Sequence, residues 1–424
     1  MNKIEQFNMA DMAKNAKVAS RAIAQLSTTQ KNTLLTAMAT AIEENSQHIM
    51  IGNKKDIAAG REKGLSEAML DRLLLTKQRI VDIADAIREI VTLSDPVGDI
   101  SNLSLRPNGL QVGKMRIPLG VIAMIYEARP NVTAESAALC IKSGNAVILR
   151  GGSEAIHSNL ALASCLHQVM VEQNIDENIV SVIPDTSRAV IEKLLKQRES
   201  IDLVIPRGGE GLIRYVTENS QIPVIQHFKG VCHLFVDKYA DLTKAIDILV
   251  NGKTQRPSAC NSLETVLVHQ DVAAQFLRLA ATALSSVIAP LQVKIHACEQ
   301  SRGYFENAEL ATNDDYHAEY LAQEIAVKVV DSFDDAIDHI NEFTSDHTEV
   351  IVTQDTSRSQ QFIRAINSSV VMVNASSRFS DGGQLGLGSE IGISTSKLHA
   401  YGPMGLEALT TEKFVVFGDG QIRN

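Results

Sequence analysis

The fold is decided by residues 118–152, which read P-L-G-V-I-A-M-I-Y-E-A-R-P-N-V-T-A-E-S-A-A-L-C-I-K-S-G-N-A-V-I-L-R-G-G. Gly120–Tyr126 and Ala146–Arg150 are short, apolar and rich in branched side chains, as strands are when both of their faces are covered. Thr133–Ser143, between them, has the composition of a helix. This order of strand, helix and strand predicts a parallel, doubly wound α/β sheet, whose ligands bind at the carboxyl ends of the strands.

The same alternation extends in both directions from this stretch. We predict further strands of the first sheet at Ile179–Ile183, Leu203–Ile205 and Pro223–Gln226. Residues 1–94 have the periodicity of helices, with a polar connection at Asn53–Gly64. Strands and helices resume after Val231, including a helix at Asp271–Val287, and predict a second α/β unit.

Two segments lie outside this pattern. Asn108-Gly109, flanked by short apolar pieces, predicts a hairpin. Thr410–Gly418, T-T-E-K-F-V-V-F-G, predicts an edge strand that pairs across a subunit interface. We expect these segments to make subunit contacts in a homo-oligomer, although an ordinary surface hairpin fits the first equally well.

The amino-acid composition and net charge exclude several classes of protein. The chain has 424 residues, 45% of them hydrophobic, and a net charge of -10, which indicates a soluble globular protein of about two or three domains. An acidic chain argues against a nucleic-acid-binding protein. The five cysteines contain no C-x-x-C pair, so we expect no zinc site, no disulfide framework and a reducing, cytoplasmic location. No signal peptide and no apolar run of ~18 residues is present, so we expect no membrane segment.

Two glycine-rich loops follow predicted strands. One contains Arg150, Gly151 and Gly152, and the other reads P-R-G-G-E-G over residues 206–211. Glycine lets a backbone approach a phosphate group, the N-terminus of a helix stabilises its negative charge, and arginine binds phosphate well. Neither loop is a G-x-G-x-x-G or Walker A motif. Together they favour a dinucleotide, although glycine-rich turns after strands are common.

A single cysteine, Cys260, lies in a loop between a predicted helix and the predicted strand Leu263–His269. Its neighbours are small or polar, and Lys253 and Arg256 bring positive charge. Such surroundings stabilise a thiolate nucleophile. The alternative is a loop cysteine without a role.

Further candidates lie elsewhere in the chain. Arg129 could hold an anionic substrate and Asn131 could stabilise an oxyanion, whereas the alternative is that Asn131 and Thr133 cap the next helix. Arg378, in a glycine-rich segment, could contact an anion. His339 and His347 are eight residues apart without a third spaced ligand, so we interpret them as structural and expect no metal.

Taken together, several motifs resemble the aldehyde dehydrogenase superfamily and, within it, the γ-glutamyl phosphate reductase family. They are Pro118–Thr133, Lys142–Gly152, the Cys260 loop and Val373–Thr395. The resemblance implies an aldehyde-dehydrogenase-like α/β fold with a Rossmann-like cofactor domain, a catalytic domain and a small oligomerisation element. The implied ranges are 1–100 and 118–255 for the cofactor domain, 256–395 for the catalytic domain, and 101–117 and 406–424 for the oligomerisation element.

The resemblance also implies roles for individual residues. Cys260 is the nucleophile and Asn131 an oxyanion donor; Arg129, Arg256 and Arg378 are candidates for binding the substrate's phosphate and carboxylate. For the cofactor, the implied residues are Arg150, Gly151 and Gly152 near the adenosine, Gly208, Gly209 and Gly211 under the pyrophosphate, and Glu319 at the nicotinamide ribose. The alternative for Glu319 is a solvated helix glutamate. The sequence departs from the family pattern at Phe343, Thr344 and Tyr401.

The implied reaction is the NADPH-dependent reduction of L-glutamate 5-phosphate to L-glutamate 5-semialdehyde in proline biosynthesis, with glutamate 5-kinase as a partner that supplies the substrate. Hydrolytic aldehyde dehydrogenases use a glutamate to activate water, and the equivalent stretch here, Q-H-F-K-G-V-C-H at 226–233, has none. A hydrolytic aldehyde dehydrogenase, a reductase of another acyl phosphate and a non-enzymatic nucleotide-binding protein remain as alternatives.

Overall fold

The computed structural model describes residues 7–286 and 292–423. The α-helices are α1 (Met9–Ile23), α2 (Thr28–Glu44), α3 (Ser46–Glu62), α4 (Glu67–Leu73), α5 (Lys77–Thr92), α6 (Asn131–Lys142), α7 (Ile156–Glu172), α8 (Arg188–Leu195), α9 (Glu210–Asn219), α10 (Leu242–Thr254), α11 (Gln270–Ser285), α12 (Glu299–Arg302), α13 (Asn313–Tyr316), α14 (Phe333–Phe343) and α15 (Thr356–Ala365). The strands are β1 (Ile100–Leu105), β2 (Gln111–Pro118), β3 (Val121–Tyr126), β4 (Ala146–Arg150), β5 (Val180–Val182), β6 (Leu203–Arg207), β7 (Cys232–Val236), β8 (Leu263–His269), β9 (Lys294–Ala297), β10 (Glu309–Leu310), β11 (Glu324–Val330), β12 (Thr348–Val352), β13 (Val370–Val373), β14 (Gly392–Ser394), β15 (Gly402–Met404) and β16 (Thr410–Phe417).

The chain divides into two compact units. The first contains residues 1–226, 387–392 and 404–424, and the second contains 227–386 and 393–403. This division differs from the expected boundary between residues 255 and 256. The reason is that β7 pairs with β8 and β12, so residues 232–236 belong to the sheet of the second unit. Residues 1–6 and 424 of the expected ranges lie outside the described residues.

The first unit contains the parallel sheet that the alternation predicts. Its strand order is β5-β4-β3-β6, and all of the pairs are parallel. β3 is buried along its whole length, which explains its uninterrupted apolar sequence. The predicted strand Pro223–Gln226 is wrong: Val224 makes only an isolated bridge with Val204, and proline at 223 has no amide hydrogen to contribute to a ladder.

The predicted connection at Asn53–Gly64 is also wrong, because α3 extends through Glu62. Two of its polar residues, Asn53 and Asp56, are buried hydrogen-bonding partners. Asn53 is 2% exposed and binds the backbone at Leu73 and Leu75, and Asp56, also 2% exposed, accepts hydrogen bonds from the backbone and hydroxyl of Ser158. A pattern based on polarity alone cannot distinguish such buried links from a loop.

A separate antiparallel sheet contains the predicted hairpin and edge strand. β2 pairs with β1 on one side and with β16 on the other, and the β16 register runs unbroken from Thr410 opposite Pro118 to Phe417 opposite Gln111. Gly109 has φ 82°, which a hairpin turn requires and which glycine adopts without strain. The sequence therefore predicted these three strands correctly.

The second unit is built on a seven-stranded sheet in the order β10-β9-β11-β8-β7-β12-β13, with every pair parallel. β8 is central and fully buried. The helix predicted at Asp271–Val287 is α11, although residue 287 lies outside the described residues. In the described part of the chain, no helix combines the length and apolarity that crossing a bilayer requires.

A buried ion pair ties together the two ends of loop 255–262, which joins α10 to β8. Lys253 and Glu264 have side chains 0% and 1% exposed, with Nζ and Oε2 2.7 Å apart. Lys253 also donates to the carbonyl oxygen of Leu263 at 2.9 Å. Burial raises the pKa of Glu264 to about 8, which Lys253 opposes, and burial lowers the pKa of Lys253. Lys253 therefore has Glu264 as its ion-pair partner inside the core.

Replacing Lys253 with methionine should destabilise the protein strongly, because Glu264 then loses its partner inside the core. Breaking a buried ion pair costs about 3–5 kcal/mol, which lowers the apparent melting temperature of a unit of this size by roughly 10 °C. The double variant K253M/E264L should recover most of this loss, since apolar groups that replace a whole buried pair are well tolerated. Thermal unfolding measures both effects.

Lys244→Met, on the same helix, is the matched control. Lys244 pairs with Asp241 at 3.6 Å, but the two side chains are 57% and 36% exposed, so its loss should leave the melting temperature nearly unchanged. A double variant no more stable than K253M would contradict this account of the pair.

Candidate active site

Cys260 lies in loop 255–262 and is half-buried. The two residues that follow it are anchored: Ser262 Oγ donates to the Gly252 carbonyl at 3.2 Å, and Asn261 Nδ2 donates to the Ser380 carbonyl at 2.8 Å. Ser377 Oγ in turn donates to the carbonyl of Asn261 at 2.6 Å. The loop is therefore fixed to the segment 377–380 directly after the cysteine, while Cys260 itself is still partly accessible.

Gly230 allows the backbone of Cys260 to approach closely. A Cβ atom at residue 230 would lie 2.0 Å from the carbonyl oxygen of Cys260, so no other residue fits there without displacing the loop. Cys232 Sγ donates to the same carbonyl at 3.3 Å. The Gly230 amide donates to Glu319 Oε1 at 2.8 Å, which brings this carboxylate to the neighbourhood of Cys260.

The position of Glu319 also tests the alternative that it is a solvated glutamate on a helix. The residue lies in the loop after α13 and not in a helix, and its carboxylate is partly buried. The interpretation of Glu319 as a solvated helix glutamate is therefore wrong. Its role at a nicotinamide ribose stays a prediction.

Two arginines lie near the thiol. Burial lowers the pKa of Arg378, and Arg256 lowers it further, whereas Cys260 and Asp381 raise it, so Arg256, Arg378 and Cys260 are within electrostatic range of one another. Arg378 Nε donates to Gln255 Oε1 at 2.7 Å, and its buried Nη1 has no hydrogen-bond partner among residues 7–286 and 292–423. A buried guanidinium nitrogen with no acceptor is suited to an anionic ligand.

The first glycine-rich loop follows β4 in the first unit. Arg150 Nη2 donates to the carbonyl of Thr186 at 2.9 Å, and its buried Nε has no partner in the described part of the chain. Gly151 and Gly152 are needed for close packing, because a Cβ at these positions would lie 2.1 Å from Asn159 Nδ2 and 2.0 Å from Glu154 Oε1. Arg150 thus retains a buried donor for a ligand, whereas the two glycines are explained by protein contacts.

The second loop follows β6 and precedes α9. A Cβ at Gly209 or Gly211 would meet nothing within 4 Å, so a ligand can approach there. The amide of Gly209, however, donates to Glu127 Oε2 at 3.1 Å, and Gly208 lies against the same carboxylate. A phosphate group at this helix N-terminus therefore has to displace Glu127, a residue that the sequence analysis did not identify.

Arg129 and Asn131 follow β3, and a kink at Ala128, with φ 27°, precedes them. Asn131 is the first residue of α6, and its Nδ2 donates to Glu135 Oε1 at 3.0 Å. Thr133 Oγ1 donates to Asn159 Oδ1 at 2.9 Å. The alternative that Asn131 and Thr133 cap the helix is wrong, because Pro130 occupies the N-cap position without a side-chain hydrogen bond. Arg129 is exposed.

The two histidines near residue 346 have different surroundings. His339 packs against Phe343 and lies 3.0 Å from Lys328 Nζ, and burial lowers its pKa to about 2. His347 instead belongs to a group with His227 and Cys260, whose ligand atoms all lie within 4.8 Å of one another. Cys260 and His347 were each singled out from the sequence, but their grouping with His227 was not predicted because the three residues are far apart in the chain.

The remaining departures from the family pattern have structural partners. Phe343 packs against Tyr316 and His317, Thr344 Oγ1 donates to Glu349, and Tyr401 Oη donates to the carbonyl of Asn367. These contacts account for the three side chains without a catalytic role.

Comparison with known proteins places the chain in a family. The sequence profile of the aldehyde dehydrogenase family matches residues 1–294. γ-Glutamyl phosphate reductase of Colwellia psychrerythraea is 78% identical over 98% of this chain and 99% of that protein, and the enzyme of the same name from Idiomarina loihiensis is 59% identical over 98% of each.

Solved structures agree with this assignment. The crystal structure of γ-glutamyl phosphate reductase from Thermotoga maritima has a TM-score of 0.96 and 41% identity, and covers 99% of this chain and 100% of that one. An acetylating aldehyde dehydrogenase from Geobacillus thermoglucosidasius, at 15% identity over 98% of this chain and 97% of its own, has a TM-score of 0.69 and shares the fold. The expected aldehyde-dehydrogenase-like fold is thus confirmed, and the chain belongs to the aldehyde dehydrogenase family, among the γ-glutamyl phosphate reductases.

Proposed function

We propose that this protein reduces L-glutamate 5-phosphate to L-glutamate 5-semialdehyde and phosphate, with NADPH as reductant, in proline biosynthesis. The proposal rests on one observation above all: a partly accessible cysteine lies near two arginines, one of which has a buried donor without an acceptor. A nucleophile with guanidinium groups beside it suits a substrate that carries both a phosphate and a carboxylate. The names of the full-length relatives support the same substrate.

Cys260 begins the reaction. Its thiolate sulfur attacks the acyl carbon of the substrate, the bond from that carbon to the phosphate oxygen breaks, and phosphate leaves, so that a thioester to Cys260 remains. Arg256 and Arg378 hold the departing phosphate or the substrate carboxylate, and Arg129 is a third candidate for this role. Phosphate is a good leaving group, so no general acid is required for this step.

Negative charge on the acyl oxygen requires hydrogen-bond donors. Asn131 and the backbone amide of Cys260 are the proposed donors, and loss of one such donor costs roughly 3–4 kcal/mol of barrier. Asn131 can take this role while it keeps its bond to Glu135 at 3.0 Å, because its Nδ2 carries a second hydrogen.

Members of the aldehyde dehydrogenase family use a nicotinamide cofactor, and NADPH is our specific proposal. The residues fit such a ligand: Arg150 has an unpartnered buried Nε, and Gly209 and Gly211 border open space. Arg150 would hold the 2′-phosphate end, Gly208, Gly209 and Gly211 the pyrophosphate, and Glu319 the nicotinamide ribose. When bound, NADPH supplies the hydride that reduces the thioester, and the semialdehyde leaves as the Cys260 thiolate is regenerated.

We also propose that the protein is cytoplasmic and that a kinase supplies its substrate. The structure records all five cysteines as thiols, as suits a reducing compartment. The substrate is an acyl phosphate, which a kinase that phosphorylates glutamate would produce.

Cys260→Ala should abolish reduction yet leave NADPH binding intact, since the sulfur forms the thioester but the cofactor residues are elsewhere. Single-turnover rates and NADPH fluorescence titration measure the two properties. Cys298→Ala, at another half-buried thiol, is the control and should retain turnover. Appreciable reduction by C260A, or loss of activity in C298A, would contradict the assignment of the nucleophile.

We also propose that the β1-β2-β16 sheet makes contacts between copies of the chain. Its apolar residues are unusually exposed: Leu105 and Phe414 are each 71% exposed, and Val416 and Phe417 exceed 50%. Exposed apolar clusters of this kind mark interaction sites.

Phe414→Glu should therefore shift the protein to a smaller assembly, as measured by light scattering. The strand should survive this change, because residue 414 lies opposite Lys114 in the ladder and a glutamate there gains a cross-strand partner. Val171→Glu, at another exposed apolar position, on α7, is the control. An unchanged mass for F414E would refute the interface.

A further inference from the structure

His227, Cys260 and His347 form a cluster of soft metal ligands that the proposed reaction does not use in full. One ligand atom from each residue lies within 4.8 Å of the other two. The two imidazole rings have centroids 5.1 Å apart and are tilted by 52°. All three residues belong to the second unit, although they come from three separate segments of the chain.

The hydrogen bonds of His347 define which of its ring nitrogens is available. Its Nδ1 lies 2.8 Å from Thr348 Oγ1, and this hydroxyl donates its own hydrogen to Ser380 Oγ at 2.8 Å. Thr348 must therefore accept from Nδ1–H, which leaves the lone pair on Nε2. That atom is buried and has no hydrogen-bond partner in the described part of the chain.

The surroundings of His347 also suit a metal. The residue is 0% exposed, and its Nδ1–H has the Thr348 hydroxyl as a fixed acceptor. A neutral histidine whose second nitrogen donates to a fixed acceptor is the usual form of a metal-binding histidine.

We propose that His227, Cys260 and His347 bind Zn²⁺ and that this binding inhibits the enzyme reversibly. The inhibition, though not the binding, rests on the proposed role of Cys260 as nucleophile. Zinc takes sulfur and imidazole ligands in a tetrahedral arrangement, with Zn–S of about 2.3 Å and Zn–N of about 2.0–2.1 Å. These bonds place neighbouring ligand atoms roughly 3.3–3.6 Å apart, so side-chain movements of about 1 Å from the observed separations suffice.

Binding is a ligand exchange without oxidation or reduction. The sulfur of Cys260 forms a bond to Zn²⁺, its S–H bond breaks, and one proton is released to solvent. Three protein ligands leave the fourth position for water. The occupied sulfur can no longer attack an acyl phosphate.

The charged residues around the cluster have opposing effects on the binding of a cation. Arg256 and Arg378 oppose a cation. Glu319 and Glu349 favour one, and both lie near Cys232, whose sulfur is 3.7 Å from His347 Nδ1. This balance is consistent with a site that releases its metal to a chelator, as a regulatory site requires.

Cobalt(II) provides a spectroscopic test that is independent of catalysis. Titration of the reduced full-length protein with Co²⁺ should give one equivalent of tetrahedral cobalt with a thiolate charge-transfer band, and Zn²⁺ should displace it. Cys260→Ser should abolish the band. His227→Asn should weaken binding by more than about tenfold, and Thr348→Val, which removes the acceptor of Nδ1–H, by about 10–100-fold.

His48→Asn and Cys298→Ser are the matched controls, since both residues lie outside the cluster, and neither should change the spectrum or the affinity. His227 is half-buried, so its replacement keeps the test decisive even if substitutions at the fully buried His347 fail to fold. No thiolate band, or the same affinity in H227N, would overturn the site.

Activity measurements test the second part of the proposal. Zn²⁺ should lower turnover of the native enzyme, and EDTA should restore it. The H227N variant should need at least tenfold more Zn²⁺ than the native enzyme to fall to half of its own uninhibited rate. Cobalt bound at Cys260 with undiminished turnover would overturn the inhibitory role. Absence of the site would leave the thioester chemistry untouched, because C260A tests that chemistry separately.

Discussion

The position of the nucleophile depends on the ion pair between Lys253 and Glu264. The pair closes loop 255–262 at its base by joining the last turn of α10 to the start of β8, the central strand of its sheet. Both side chains are buried, and the attraction between them offsets the desolvation penalty of each charge. A loop anchored this rigidly can present Cys260 with only small neighbours around it.

Close packing beneath the cysteine adds a second constraint. Gly230 leaves room for the Cys260 carbonyl where any side chain would collide with it. Through the amide of Gly230 the same contact brings Glu319 to the site. The features that expose the sulfur to substrate also place it beside two imidazoles, which is why a reactive thiol here is open to capture by a soft metal ion.

Much of the fold follows from local patterns. Buried strands such as β3 can be recognised because every residue is apolar, and the hairpin because Asn108-Gly109 fits its turn. Most failures come from contacts that are distant in sequence: Asn53 and Asp56 of α3 have partners about 20 and 100 residues away, and Glu127 and His347 reach their sites through tertiary contacts. The pairing of Lys253 with Glu264 was not predicted either, because it joins a helix to the strand that follows the loop.

The central claim is that phosphate, rather than water, exchanges with the thioester at Cys260. The direct test is the reverse reaction: the protein is incubated with pyrroline-5-carboxylate, the cyclised form of the semialdehyde, together with NADP and a range of phosphate concentrations, and NADPH formation is followed. We predict that the rate rises with phosphate and vanishes without it. Equal rates without phosphate would mean that water is the acceptor, with Glu319 as the candidate base, and would contradict the account.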